Sequence, residues 1–138
     1  GPEDPLRALL TRAYALPTSA AWATLIFPVG GFLFAWWARI HLGGLWSSGV
    51  TRKDDHRIVD DGPYGIVRHP IYTGLLAGAL GLLVIGATPV GLGGFALLSL
   101  GVFLKALLEE RFLGEELGPE AYGAYRRRTP MLIPFLPA

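Results

Sequence analysis

"PIYTGLLAGALGLLVIGATPVGLGGFALLSLGVFL", residues 70–104, is the longest stretch of the chain without a charged or imidazole side chain. As one helix its 35 residues would reach about 52 Å at ~1.5 Å per residue, well beyond a hydrocarbon layer of ~30 Å. It must therefore turn back on itself. The break falls at "GATPVGLGG", residues 86–94, where a proline and clustered glycines favour a turn. The reading is a hairpin of two apolar helices, about Ile71 to Ala87 and Val90 to Leu108, with Gly86 to Gly94 as its tip.

A second apolar run precedes it. Between Arg12 and Arg39 lie 26 uncharged residues, including "AAWATLIFPVGGFLFAWWA", enough for one tilted crossing. Pro28, Gly30 and Gly31 are expected to kink that helix, which neighbouring helices can tolerate. The run is too long for a signal peptide and lacks a following small-residue cleavage site. Composition agrees with a membrane protein: 51% of the 138 residues are hydrophobic, only 17% are charged, and mean hydropathy is +0.42. A net charge of +1 gives no reason to expect nucleic acid as a partner. Without cysteine there is no disulfide, thiolate ligand or Cys nucleophile, and the redox compartment is undetermined. The opening Gly1-Pro2 reads as a cleavage scar without structural meaning. The expectation is one all-α unit over residues 1–138, an integral membrane bundle of about three spans: one helix, then a hairpin.

Ten basic residues, Arg39, Arg52, Lys53, Arg57, Arg68, Lys105, Arg111 and Arg126 to Arg128, fall on one side of that topology. Only Arg7 and Arg12 fall on the other. The positive-inside rule makes the ten-cation side cytoplasmic and the N-terminus and hairpin tip external. Trp36, Trp37 and Trp46 flank the first exit as an aromatic belt would. The small-residue spacing Gly74-x-x-x-Gly78 permits close helix contact, within the bundle or between chains.

Two polar segments then face one another on the cytoplasmic side, one near residues 47–70 and one formed by the last helix and the tail. Lys105 and Glu109 share a helix face, with Glu110 about 100° away. The tail "PMLIPFLP" has too many prolines for a helix and should lie along the interface or cap the bundle. Arg68 and His69 are donors suited to a carboxylate or phosphate, and Glu109 and Glu110 are acceptors suited to an ammonium. Tyr64, Ile58 and Val59 offer surface for a flat ring. An amino acid joined to a nucleoside, such as S-adenosylmethionine, would use all three sets; a dinucleotide would use the donors and the flat surface. Equally, these charges could be juxtamembrane anchors and a solvated helix face. The scattered His41, His56 and His69 give no metal-ligand spacing.

"GPYGIVRHPIYTG", residues 62–74, followed by "LLEERFLGEELGPEAYGAYRRRTPMLIP", resembles the isoprenylcysteine carboxyl methyltransferase family. The resemblance covers roughly residues 42–135. It rests on Arg68, His69, Pro70 and Tyr72, the Glu109–Glu110 pair, Tyr122 and Tyr125, and the proline-ended tail. It implies an integral-membrane, S-adenosylmethionine-dependent carboxyl methyltransferase that releases S-adenosylhomocysteine, with a cytoplasmic cofactor site. The acceptor would be lipidic and enter from the bilayer; phospholipid amine methyltransferases are relatives. By position, the resemblance assigns His56, Arg57, Ile58, Val59 and Tyr64 to the adenosine pocket. His69, Pro70, Ile71 and Tyr72 would hold the cofactor's amino-acid end, with Glu109 on its ammonium. Arg68, Lys105 and Glu110 are the catalytic candidates: Lys105 facing the acceptor and Arg68 orienting either substrate. The chain departs from relatives at "LGGLWS", where an Arg is common near Gly44. A membrane reductase using a nicotinamide cofactor and a non-catalytic scaffold are the competing readings. The reductases are much longer, and the glycines at 91, 93 and 94 follow a membrane helix where a dinucleotide fingerprint needs a strand.

Overall fold

The computed structural model describes residues 4–43 and 58–136. Every regular element among them is helical: α1 (Pro5–Leu10), α2 (Thr18–Thr24), α3 (Ile26–Leu42), α4 (Pro70–Gly86), α5 (Pro89–Leu117) and α6 (Pro119–Arg128). A 3-10 turn at Gly62–Gly65 precedes α4. By length and apolar character, Thr18–Leu42 and Pro89–Leu117 are each long enough to cross a membrane. The apolar helix Pro70–Gly86 is shorter, at 17 residues.

The first long apolar stretch is interrupted where its proline requires it. Pro28 has no N–H for the Thr24 carbonyl and its ring crowds that oxygen. The helix accordingly breaks at Leu25, between α2 and α3. The interruption lies about one turn on the N-terminal side of Pro28.

α3 and α4 form the closest helix pair. Their approach depends on missing side chains. A Cβ at Gly31 would run into the Gly74 carbonyl oxygen, and one at Gly74 would run into the Gly31 oxygen and the Ala35 methyl. About two turns further on, Gly81 lies against the Pro28 ring. The small-residue stripe of α4 is thus spent on α3 of the same chain, which answers the question that the Gly74-x-x-x-Gly78 spacing leaves open.

The hairpin turn is narrower than the sequence suggests. α4 ends at Ala87, in the left-handed region at φ 56°, and α5 begins at once with Pro89 in its first turn. Thr88 caps it, its Oγ1 accepting from the Gly91 N–H at 3.1 Å. The glycines at 91, 93 and 94 therefore belong to the helix, because one N-cap and one proline suffice to start it. The residues before α2 close the other side of the turn. Tyr14 Oη donates to the Val84 carbonyl (2.7 Å), Arg12 to that of Ile85 (2.6 Å), and the Ala13 N–H to that of Ala87 (2.6 Å). These are carbonyls that the last turn of α4 leaves unpaired, and a cation suits that end of the helix dipole.

α5 is also longer than expected, reaching Leu117 where the hydropathy pattern stops near Leu108. At about 1.5 Å per residue it extends ~43 Å, so its charged final turns project past a hydrocarbon core. It meets the rest of the protein along a narrow buried stripe, Val102, Ala106 and Glu110, each four residues apart. Leu97, Leu100, Leu104 and Leu108 are exposed, as lipid-facing side chains would be.

Candidate active site

The dipeptide Arg68-His69 is pinned by backbone before its side chains act. The Arg68 N–H donates to the Pro130 carbonyl at 2.8 Å and the His69 N–H to that of Met131 at 3.1 Å. Thr73 Oγ1, in the first turn of α4, donates to the Leu132 carbonyl at 2.5 Å. The tail's prolines forbid a helix, and its carbonyls are therefore free to clamp the start of α4.

Arg68, His69 and Glu110 are each more than nine-tenths buried. Arg68 Nε donates to Glu110 Oε2 at 2.8 Å and Nη2 to Oε1 at 3.3 Å, a two-pronged pairing. Nη1 donates to the carbonyls of Arg126 (2.9 Å) and Thr129 (2.6 Å), at the C-terminal end of α6. Four of the five guanidinium N–H groups are thus used inside the protein. His69 Nε2 meets the same carboxylate, 2.6 Å from Glu110 Oε2. One buried carboxylate on α5 therefore joins the start of α4 to the end of α6.

Glu109, the next residue, faces elsewhere. Its Oε1 accepts from the Tyr72 hydroxyl at 2.5 Å, while its Oε2 lies 3.9 Å from His69 Nδ1. The Tyr72 ring stacks on the His69 ring, centroids 5.7 Å apart and 17° from parallel. Lys105 Nζ sits 5.8 Å from the centroid of the same Tyr72 ring. The shared face of Lys105 and Glu109 is therefore completed by Tyr72, which touches both.

Tyr64 extends this surface. Its carbonyl accepts from the Tyr125 hydroxyl at 2.7 Å, and its ring faces that of His41 at 6.4 Å and 25° from parallel. Burial, and then the negative charge of Glu109, push the Tyr64 hydroxyl up to about 12, so it stays a neutral donor at physiological pH. Burial likewise raises Tyr122 and Tyr125 above the ordinary phenol value. His41 Nε2 pairs with Asp61 Oδ1 at 2.7 Å, and Arg128 pairs with Asp60 while lying over the Tyr125 ring. Together these contacts tie the segment 58–65 to α3 on one side and α6 on the other.

Among the residues singled out from sequence, Arg68, His69, Tyr72, Lys105, Glu109, Glu110 and Tyr64 come together. Pro70 is buried at the first position of α4, and Ile58, Val59 and Ile71 are half-buried nearby in the chain. His56 and Arg57 lie outside the described residues, as does Trp46. The arrangement does not leave Arg68 free for a substrate carboxylate, since its fork is closed on Glu110 and on two carbonyls. Its place is that of a strut. His41, Asp61 and the carbonyls of Arg126 and Thr129 join the site without having been singled out. His41 carried a signal only as one histidine among three, and backbone acceptors leave no trace in residue identity.

A separate cavity of about 370 Å³ opens between α5 and α6, lined by Glu110, Arg111, Gly114, Glu115, Pro119, Tyr122, Gly123 and Arg126. At about 100° per residue, Arg111 and Gly114 lie roughly 120–180° around α5 from Lys105 and Glu109.

An acceptor pair beside a cation and aromatic faces suits a zwitterion attached to a flat ring. Residues 23–116, or 94 of 138, match the isoprenylcysteine carboxyl methyltransferase family. The chain is 32% identical over 88 residues to protein-S-isoprenylcysteine O-methyltransferase B of Arabidopsis thaliana, covering 63% of this chain and 44% of that protein. It is 36% identical over 87 residues to the protein-S-isoprenylcysteine O-methyltransferase of Schizosaccharomyces pombe, covering 62% and 36%. It is also 46% identical over 77 residues to methanethiol S-methyltransferase 2 of Bradyrhizobium diazoefficiens, covering 53% and 27%. The chain thus spans less than half the length of these relatives. With the match running through α3, α4 and nearly all of α5, the chain belongs to the isoprenylcysteine carboxyl methyltransferase family.

Proposed function

We propose that this chain is a membrane methyltransferase that takes S-adenosylmethionine as methyl donor and a lipidic carboxylate, of the isoprenylcysteine kind, as acceptor. The observation that carries the reading is the division of labour between two adjacent glutamates. Glu110 is neutralised by Arg68 within the fold, whereas Glu109 keeps one carboxylate oxygen without a hydrogen bond among the described residues, beside His69 Nδ1. An open, half-buried carboxylate under an aromatic pair suits a ligand ammonium.

The residues present fit the cofactor's parts. Glu109 and His69 receive the ammonium, Tyr72 fixes the Glu109 rotamer, and Tyr64 with Ile58 and Val59 supplies surface for the adenosine. When bound, the cofactor supplies an electrophilic methyl group on a sulfonium. Its transfer is an in-line displacement that needs alignment more than acid–base catalysis, so the protein's task is positioning. Lys105 is exposed and has no carboxylate within ion-pair distance among the described residues, which suits it to orient an acceptor carboxylate. Arg68 and Glu110 act as supports rather than as partners of the reacting atoms. The functional unit is the single domain of residues 1–138, with the site at the cytoplasmic interface, where a soluble cofactor and a bilayer-borne acceptor can meet.

The acceptor's chemistry has competitors. A phospholipid amine would find no use for Lys105, and a thiol is the acceptor named for the Bradyrhizobium relative. Calorimetry on purified protein with S-adenosylhomocysteine and with NADPH tests the cofactor. Binding of the first alone supports the reading, binding of NADPH alone favours a reductase, and binding of neither favours a scaffold. Methyl transfer from radiolabelled cofactor to a farnesylcysteine analogue, a phospholipid amine and a small thiol then identifies the acceptor class.

A further inference from the structure

We infer that Glu110 is a positioning residue that fixes the proton of His69 on Nε2 and thereby turns Nδ1 into an acceptor for the ligand's ammonium. The inference deepens the proposed function and rests on it for the identity of the ligand. Glu110 accepts from two guanidinium nitrogens of Arg68, at 2.8 and 3.3 Å. A carboxylate so held is ionised and can only accept. The 2.6 Å contact between its Oε2 and His69 Nε2 therefore requires the proton to sit on Nε2. In the neutral ring that leaves a lone pair on Nδ1.

Nδ1 faces Glu109 Oε2 across 3.9 Å, too far for a hydrogen bond between them. The Tyr72 hydroxyl cannot fill the gap with its proton, because it donates to the other Glu109 oxygen at 2.5 Å. Two acceptors thus confront one another at a separation that one N–H-rich group could bridge, at ~2.9 Å from each. A primary ammonium has that shape and charge. A carboxylate or hydroxylate would be repelled by Glu109 and offered no proton by His69. The second glutamate of the pair thus makes the first one selective for an amine, acting through a ring that it holds from behind.

Nitrogen-15 spectra of the wild-type protein labelled at its histidines report the tautomer directly, with His69 assigned by His69→Gln. The probes are S-adenosylhomocysteine and its analogue lacking the α-amino group. The proposal expects His69 to carry its proton on Nε2 with and without ligand, and the amine to be preferred by about 10-fold or more. Glu110→Gln should mix the tautomers and shrink that preference, and Glu110→Asp should recover part of it. A proton on Nδ1 in the wild type, alone or in a doubly protonated ring, overturns the proposal. So does a folded Glu110→Gln variant with unchanged preference. If Glu110→Gln fails to fold, the wild-type spectrum still decides. An Nε2 proton in a protein that binds neither probe would defeat the proposed function while leaving the positioning role standing.

Discussion

Neighbouring residues of one chemical type do unlike work here, and substitution should separate them. Glu109→Gln removes the open carboxylate but keeps the side chain's volume and its contact with Tyr72. It should weaken S-adenosylhomocysteine binding by roughly 10- to 150-fold, the worth of a charge-assisted hydrogen bond of about 1.5–3 kcal/mol, with little change in melting temperature. Calorimetry and thermal melting on one sample check both halves. Arg68→Lys should do the reverse. An ammonium cannot span two carboxylate oxygens and two carbonyls, so a pair buried to 3% and 4% side-chain exposure is left incompletely compensated. The melting temperature should fall, and a melting point unchanged from wild type would refute the strut assignment.

Helix contacts are decided by what some residues lack. Gly74→Ala places a methyl against the Gly31 carbonyl, where neither backbone can yield, so about 1–3 kcal/mol of stability should be lost. Gly94→Ala meets open space within α5 and should be neutral or stabilising by up to about 1 kcal/mol. Denaturant or thermal unfolding of the two variants provides the comparison. Much at this scale was legible in the sequence. Hydropathy found the apolar helices, Pro28 announced the break, and "RHP" next to a helix start and "EE" within its partner are side chains that the fold brings together. The turn at Ala87 was overdrawn because glycines count as breakers in sequence, whereas a capping threonine and a proline override them. The extension of α5 to Leu117 was missed because a polar continuation has no hydropathy, although "EERFLGEEL" contains strong helix formers. The role of Arg68 could not be read at all, since two of its acceptors are main-chain carbonyls.

For the whole molecule, the distribution of basic residues makes a topological prediction. The turn between α4 and α5 should lie on the side opposite the C-terminal ends of α5 and α6. The natural absence of cysteine makes the test clean. Single cysteines at Thr88 and at Glu120 should be labelled by impermeant reagents from opposite faces of sealed vesicles, Thr88 from outside and Glu120 from the cytoplasmic side. Labelling of both from one face would mean that the apolar hairpin does not cross. Lipid contact is expected along Leu97, Leu100, Leu104 and Leu108, and quenching of a fluorophore placed there by brominated lipid chains reports it.

Because Arg68 grips the carbonyls of residues 126 and 129 and leaves their side chains alone, the letters at those positions and the path through them answer to different constraints. As far as this grip is concerned, position 126 can exchange one helix-compatible residue for another, since each presents the same oxygen. The count of residues between Gly118 and Pro130 is not free, because one insertion would rotate α6 and present the wrong carbonyls to a fork that cannot follow. Descendants of this sequence should therefore record their history in this region as exchanged letters at fixed length.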